Sequence, residues 1–193
     1  MKVLVFSGST RTGSLNRQLA RAAAEELRRQ GLDVTLADLR DYPMPLYDGD
    51  LEAQGGLPEH AQAFRGLLRD HDVFVIASPE YNGSFSALLK NVIDWASRAA
   101  PGERPGAVFR GKKAALLAAS PGPGGGQRGL RHLRELLQMI GVDVLPTDVT
   151  ISRAHEAFDA EGRLIRPEAV DALAEQLRLL CAYPESPALL GAR

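Results

Sequence analysis

The sequence has one cysteine, Cys181, in 193 residues. No internal disulfide can form, and the reducing cytosol is the expected compartment. Long apolar runs are also missing. The first, Val3 to Phe6, breaks at Ser7-Gly8, which is too short for a signal-peptide core or a membrane span. No charge of one sign dominates: 23 Lys and Arg stand against 24 Asp and Glu. Such a balance draws neither nucleic acid nor a membrane surface, and it lacks the acidic field of a diffusible electron carrier. The histidines His60, His71, His132 and His155 are scattered without metal-ligand spacing, so no metal is expected. Two common nucleotide signatures are absent as well. No Gly-Lys-Ser/Thr ending marks a Walker loop, and no three-glycine spacing marks a dinucleotide fingerprint.

What is there is an alternation of apolar strands and amphipathic helices. Strands are expected at Lys2 to Phe6, Leu32 to Leu36, Val73 to Ala77, Lys113 to Ala119 and Val142 to Leu145. Helices are expected near Ser14 to Gln30, Glu59 to Arg69, Phe85 to Arg98, Gln127 to Ile140 and Pro167 to Ala182. Leu19, Ala22, Ala23 and Leu27 recur at helical spacing in the first of these. Near-continuous apolar strands are those of a parallel sheet covered on both faces. The alternating units read as an α/β, open, doubly wound, five-stranded parallel sheet with helices on both faces. Residues 1–183 are expected to form one domain, with 184–193 as a flexible tail. Asp41 to Pro58 and Ala99 to Gly111 read as Pro/Gly-rich loops.

In open sheets of this kind ligands sit at the carboxyl ends of the strands, which singles out three loops. Ser7 to Asn16 holds the hydroxyls of Ser9, Thr10, Thr12 and Ser14, the carboxamide of Asn16, the guanidinium of Arg11, and Gly8 and Gly13 before a helix. Converging donors at a helix N-terminus suit a phosphate. The plainer reading is a strand-to-helix turn capped by Ser14. Ser78 to Ser84 is rigid at Pro79 and sharply turned at Gly83, with Tyr81 as an aromatic surface. It suits a planar heterocycle, or else a helix-capping turn with Ser84 or Ser86 as cap. Ser120 to Arg128, rich in Gly and Pro, allows a flat ligand close to the backbone, or else is a plain connection.

Together, Gly8-Ser9-Thr10-Arg11-Thr12-Gly13-Ser14-Leu15-Asn16 and Pro79-Glu80-Tyr81-Asn82-Gly83-Ser84 resemble the NADPH-dependent FMN reductase family of flavodoxin-like proteins. The second motif continues into Leu88-Leu89-Lys90-Asn91-Val92-Ile93-Asp94-Trp95. The family includes bacterial soluble quinone, chromate and azo-dye reductases. The resemblance implies a flavodoxin-like fold, bound FMN, and NADPH or NADH as co-substrate. It implies Ser9, Arg11, Ser14, Leu15 and Asn16 around the FMN phosphate, with Arg11 serving either that phosphate or the 2′-phosphate of NADPH. It places Pro79, Glu80, Tyr81, Asn82 and Gly83 beside the isoalloxazine ring, and Ser120, Gly122 and Gly125 as the third wall. Lys90, Asn91, Asp94 and Trp95 are then structural. A homodimer or homotetramer is implied, with Asp41 to Pro58 and Ala99 to Gly111 shaping the pocket across an interface. The implied reaction is ping-pong: hydride passes from the nicotinamide to flavin N5, and a small acceptor such as a quinone, free flavin, azo dye or chromate then takes the electrons. No side chain is needed as a catalytic acid or base, because the cofactor carries the chemistry. The alternative is a flavodoxin-type FMN electron carrier serving a protein partner, which the near-neutral charge disfavours.

Overall fold

A computed structural model describes residues 1–184. The expected flexible tail therefore lies, from residue 185 on, outside the described residues. Five parallel strands form the sheet: β1 (Lys2–Ser7), β2 (Asp33–Ala37), β3 (Val73–Ala77), β6 (Lys113–Ala119) and β7 (Asp143–Ile151), in the spatial order β2-β1-β3-β6-β7. This is the flavodoxin-like doubly wound arrangement. The chain moves outward from β1 to β2, then returns to the other side for β3. The carboxyl ends of β1 and β3 thus flank the switch point where ligands bind in such sheets.

Side-chain alternation along each strand feeds two cores. Val3, Val5, Val75, Ala77, Ala115 and Leu117 face α1 (Leu15–Arg29) and α6 (Pro167–Ala182). Leu4, Phe6, Phe74, Ile76, Ala114 and Leu116 face α3 (Glu59–Asp70), α4 (Ala87–Ala96) and α5 (Gln127–Met139). Both faces of β3 are fully buried, which is why its sequence shows no polar alternation.

Three expected elements differ from the structure. The last strand runs on past Leu145 to Ile151. Pro146 has no N–H to pair, so β7 bulges between Val144 and Asp148, where the register against Ala114 and Leu116 shifts. Pairing then resumes, but Thr147, Asp148 and Thr150 disguise the strand as polar loop. The Asp41 to Pro58 loop contains a short helix, α2 (Gly49–Gly55), capped by Asp48, whose side chain accepts from the Asp50 N–H. It buries none of its residues, so it left no apolar periodicity to read. The fourth helix begins at Ala87 rather than Phe85, because Glu80–Tyr81 (β4) and Ser84–Phe85 (β5) pair as an antiparallel hairpin. Its two turn residues, Asn82 and Gly83, have φ of 52° and 78°, the Asn-Gly pattern of a tight primed turn. Ser86 is the cap of α4, accepting from the Leu89 N–H.

The polar residues of α4 hold the loop before α2. Asn91 donates to the Pro45 carbonyl at 2.8 Å and accepts from the Tyr47 N–H at 2.8 Å. The Trp95 indole donates to the same Pro45 carbonyl at 2.8 Å. Tyr47 packs edge-on to Trp95 and donates its hydroxyl to Glu52, which is paired with Arg98. The motif around Leu88 to Trp95 is therefore a clamp on the Pro45–Glu52 segment. Trp95→Phe removes the hydrogen bond to Pro45 and leaves part of the indole's buried volume empty, and should cost about 2 kcal/mol. Urea unfolding of the two proteins measures this, with an unchanged midpoint contradicting the clamp.

Candidate functional site

The three loops meet at the carboxyl end of the sheet. Ser9, Arg11, Gly13, Ser14, Leu15, Asn16, Pro79, Glu80, Tyr81, Ala119, Ser120 and Pro121 line one cleft of about 160 Å³. Nine of the expected site residues are among them. Asn82 and Gly83 stand at the hairpin turn, and Gly122 and Gly125 within the third loop, away from the cleft wall.

The first loop is folded by its own hydrogen bonds. The Gly8 N–H donates to Ala77 of β3 at 2.9 Å, and Ser86 donates to the Gly8 carbonyl at 2.6 Å. Gly8 has little room for a side chain, since a Cβ there would lie 3.1 Å from atoms of Leu89 and Ser86. The chain then turns at Gly13, with φ of 69°, and the Ser14 N–H closes onto the Arg11 carbonyl. Ser9 Oγ accepts from the Arg11 N–H at 3.4 Å, and Ser14 Oγ accepts from the Arg17 N–H at 3.3 Å. Each hydroxyl thus has a lone pair engaged and a proton left to donate. At the first turn of α1 the Leu15 and Asn16 N–H groups have no intrahelical acceptor. Buried hydroxyls, open N–H groups and the positive end of a helix are a cradle for an anion.

Arg17 was not singled out by sequence, where it read as one more arginine on a helix face. It donates to the Arg11 carbonyl and pairs with Asp38 at 2.5 Å. Burial pushes the Asp38 carboxyl upward, but hydrogen bonds from Arg40 and the charges of Arg17 and Arg40 outweigh this, so its pKa lies below the ordinary value. No spacing rule could have found this pair, which joins α1 to the end of β2.

Asn16 sits beneath the cradle. Its amide donates to the Ala119 carbonyl at 2.8 Å and its oxygen accepts from the Ala119 N–H at 2.9 Å. The carboxamide therefore ties the first loop to the third, and what Asn16 presents to the cleft most directly is its backbone N–H. Glu80 likewise reaches away from the ring end of the cleft: its carboxylate accepts from the Gly129 N–H at 3.0 Å, in the first turn of α5. That contact docks the hairpin on α5, where a Cβ on Gly129 would lie 3.1 Å from the Ser84 carbonyl oxygen. In the third loop Gly126 has φ of 95°, and a Cβ there would meet that of Ala118 at 2.7 Å. Gly122 accepts from Gly125 and Arg153, and Gly125 packs on Thr150. Both thus shape the loop behind its wall. Tyr81 stays half exposed at the mouth.

These residues fit FMN. The donors of the first loop and Arg11 are of the kind a phosphate needs, and Pro79, Tyr81, Ser120 and Pro121 bound the rest of the cleft. The model of the NADPH-dependent FMN reductase family matches residues 1–156. The chain belongs to that family. An NAD(P)H-dependent FMN reductase of Pseudomonas aeruginosa is 43% identical, over 93% of each chain. A probable NADPH:quinone oxidoreductase of Oryza sativa is 36% identical over 95% of this chain and 88% of the relative. Among solved structures, the flavoenzyme NAD(P)H:(acceptor) oxidoreductase of Paracoccus denitrificans superposes with a TM-score of 0.80 at 26% identity, covering 94% and 96% of the two chains. The chain is thus an NAD(P)H-dependent flavin oxidoreductase. Among the described residues no helix is long and apolar enough to cross a membrane.

Asn16→Ala strands the Ala119 N–H and C=O in a buried place, and should cost about 2 kcal/mol, read by denaturant unfolding. The Asp38 pair sets a pH dependence. A carboxyl with a depressed folded pKa contributes stability above its unfolded value, about 3.9, and loses it as pH falls through the folded value. The difference in Tm between the wild type and Asp38→Asn should hold from pH 7 to 5 and shrink below about 4.

Proposed function

We propose that this chain, with residues 1–183 as its working unit, binds FMN in the cleft between its three loops and passes electrons from NAD(P)H to small quinones. The observation that carries this reading is the cleft itself. Anion donors lie at one end and a half-exposed tyrosine and a proline-bounded wall at the other, and the one carboxylate of the lining, Glu80, is engaged by the Gly129 N–H. Bound FMN supplies the redox chemistry, accepting hydride and returning electrons to the second substrate.

The protein's work is binding and placement. Ser9, Ser14, Arg11 and the first-turn N–H groups of α1 hold the phosphate, with Arg17 keeping their loop in shape. Pro79, Tyr81 and Ser120 position the ring, and Asn82 and Gly83 set the angle of the hairpin that carries Tyr81. Gly122 and Gly125 keep the third wall low. Tyr81 at an open mouth leaves one entrance from solvent, through which the two substrates would come and go in turn, as ping-pong exchange needs. The quinones named for the relatives are flat rings, a shape that can lie along Tyr81 at the mouth. Free flavin, azo dyes and chromate are further acceptors that an open mouth admits. We further propose a homodimer or homotetramer. Its support is the clamped Pro45–Glu52 segment, which holds the apolar side chain of Leu46 largely in solvent.

Arg11→Ala should weaken FMN binding about tenfold, the loss of one charge-assisted phosphate contact, measured by flavin fluorescence titration. Unchanged affinity removes Arg11 from the phosphate site. Steady-state oxidation of NADPH and NADH against a benzoquinone, an azo dye and chromate tests the activity. Turnover with the quinone is expected, and none with any acceptor overturns the reading.

A further inference from the structure

Beside the flavin cleft lies a second crevice, of about 120 Å³, lined by Ser7, Ser9, Arg17, Ala20, Arg21, Leu36, Ala37, Asp38 and Leu39. It opens between α1 and the end of β2, again at the carboxyl edge of the sheet. Ser9 lines both spaces. Its chemistry is that of an oxyanion site. Arg17 and Arg21 stand one helical turn apart on α1 and both line it. Arg40 stands behind, on Asp38. The one carboxylate in the wall is already neutralised: Asp38 accepts from Arg17, and from both the backbone and the guanidinium of Arg40. Even with Asp41 near Arg40, three guanidiniums face two carboxylates. Arg21 is exposed and has no carboxylate partner among the described residues. Among the lining, Ser7 is 5% exposed, and its Oγ has no hydrogen-bond partner among the described residues. A buried hydroxyl without a protein partner is one that a water or a ligand oxygen reaching it can satisfy.

The geometry points to this crevice as the subsite for the 2′-phosphate of NADPH, with Arg21 as the residue that sets the preference over NADH. This rests on the NAD(P)H-dependent reading above and deepens it. A dinucleotide whose nicotinamide lies in the flavin cleft has a second phosphorylated end to place, and the crevice is the adjoining cationic space. The crevice is small and takes an oxyanion with water rather than a purine, so it reads the phosphate and leaves the adenine outside. Arg17 is held by Asp38 and the first loop, whereas Arg21 is free to close on a phosphate bidentately.

The test uses the FMN-loaded protein, wild type and Arg21→Ala. Steady-state kinetics with a benzoquinone should show kcat/KM for NADPH lower by about tenfold in the variant through KM, and the NADPH to NADH ratio lower by the same factor. Isothermal calorimetry with 2′,5′-ADP should show about tenfold weaker binding in the variant, while 5′-AMP binds both proteins alike. Arg21→Lys should recover part of the loss. Equal losses with both nucleotides, or no loss with either, overturn the subsite. Calorimetry decides it independently of turnover. If no acceptor supports turnover, the functional reading fails, but tighter binding of 2′,5′-ADP than of 5′-AMP that depends on Arg21 still supports the subsite. Equal binding of the two by the wild type overturns it.

Discussion

The site depends on one residue joining two loops that lie 103 positions apart in the chain. The Asn16 carboxamide donates to and accepts from Ala119, so the anion cradle and the third wall move as one body. Buried, with both its polar atoms paired, this contact is strong in a way that a surface bond is not. The first loop can then leave the hydroxyl protons of Ser9 and Ser14 turned outward without losing its shape. Arg17 adds the second brace, from the Arg11 carbonyl to Asp38.

The same economy recurs in the second loop. The hairpin that carries Tyr81 is only two residues per strand, too short to be stable alone. It is held from below by Ser86, which caps α4 and also donates to the Gly8 carbonyl. From the side it is held by Glu80 on the first turn of α5. Glycines at 8, 126 and 129 are what permit these close approaches. The three loops are therefore mutually braced, and their exposed groups are free for a ligand. A site with this division between bracing and presented groups suits a cofactor that brings its own chemistry.

Much of this was legible from residues alone. Strands of unbroken apolar character, Val73 to Ala77 above all, required a sheet buried on both faces. Small residues and hydroxyls at the end of Lys2 to Phe6, followed by an amphipathic helix, pointed to a turn that suits an anion, beside the plainer reading of a turn capped by Ser14. The two loop motifs carried the family. What misled was local polarity. Thr147, Asp148 and Thr150 hid the second half of β7; Thr147 and Asp148 find their partners Gln176 and Arg134 on other elements, which the local sequence does not show. The α2 helix was missed because it buries nothing.

By itself the sequence determined the doubly wound sheet, the three loops at its carboxyl edge and the cofactor class, because these follow from periodicity, turn chemistry and motif, which are local. Only the tertiary structure decided what each polar side chain does. Asn16 and Glu80 became braces, Asn91 and Trp95 a clamp, Arg17 a support and Arg21 a free cation beside a second crevice. The reason is physical. A hydrogen bond or an ion pair is set by which atoms meet in space, and here the partners lie from about twenty to more than a hundred residues apart.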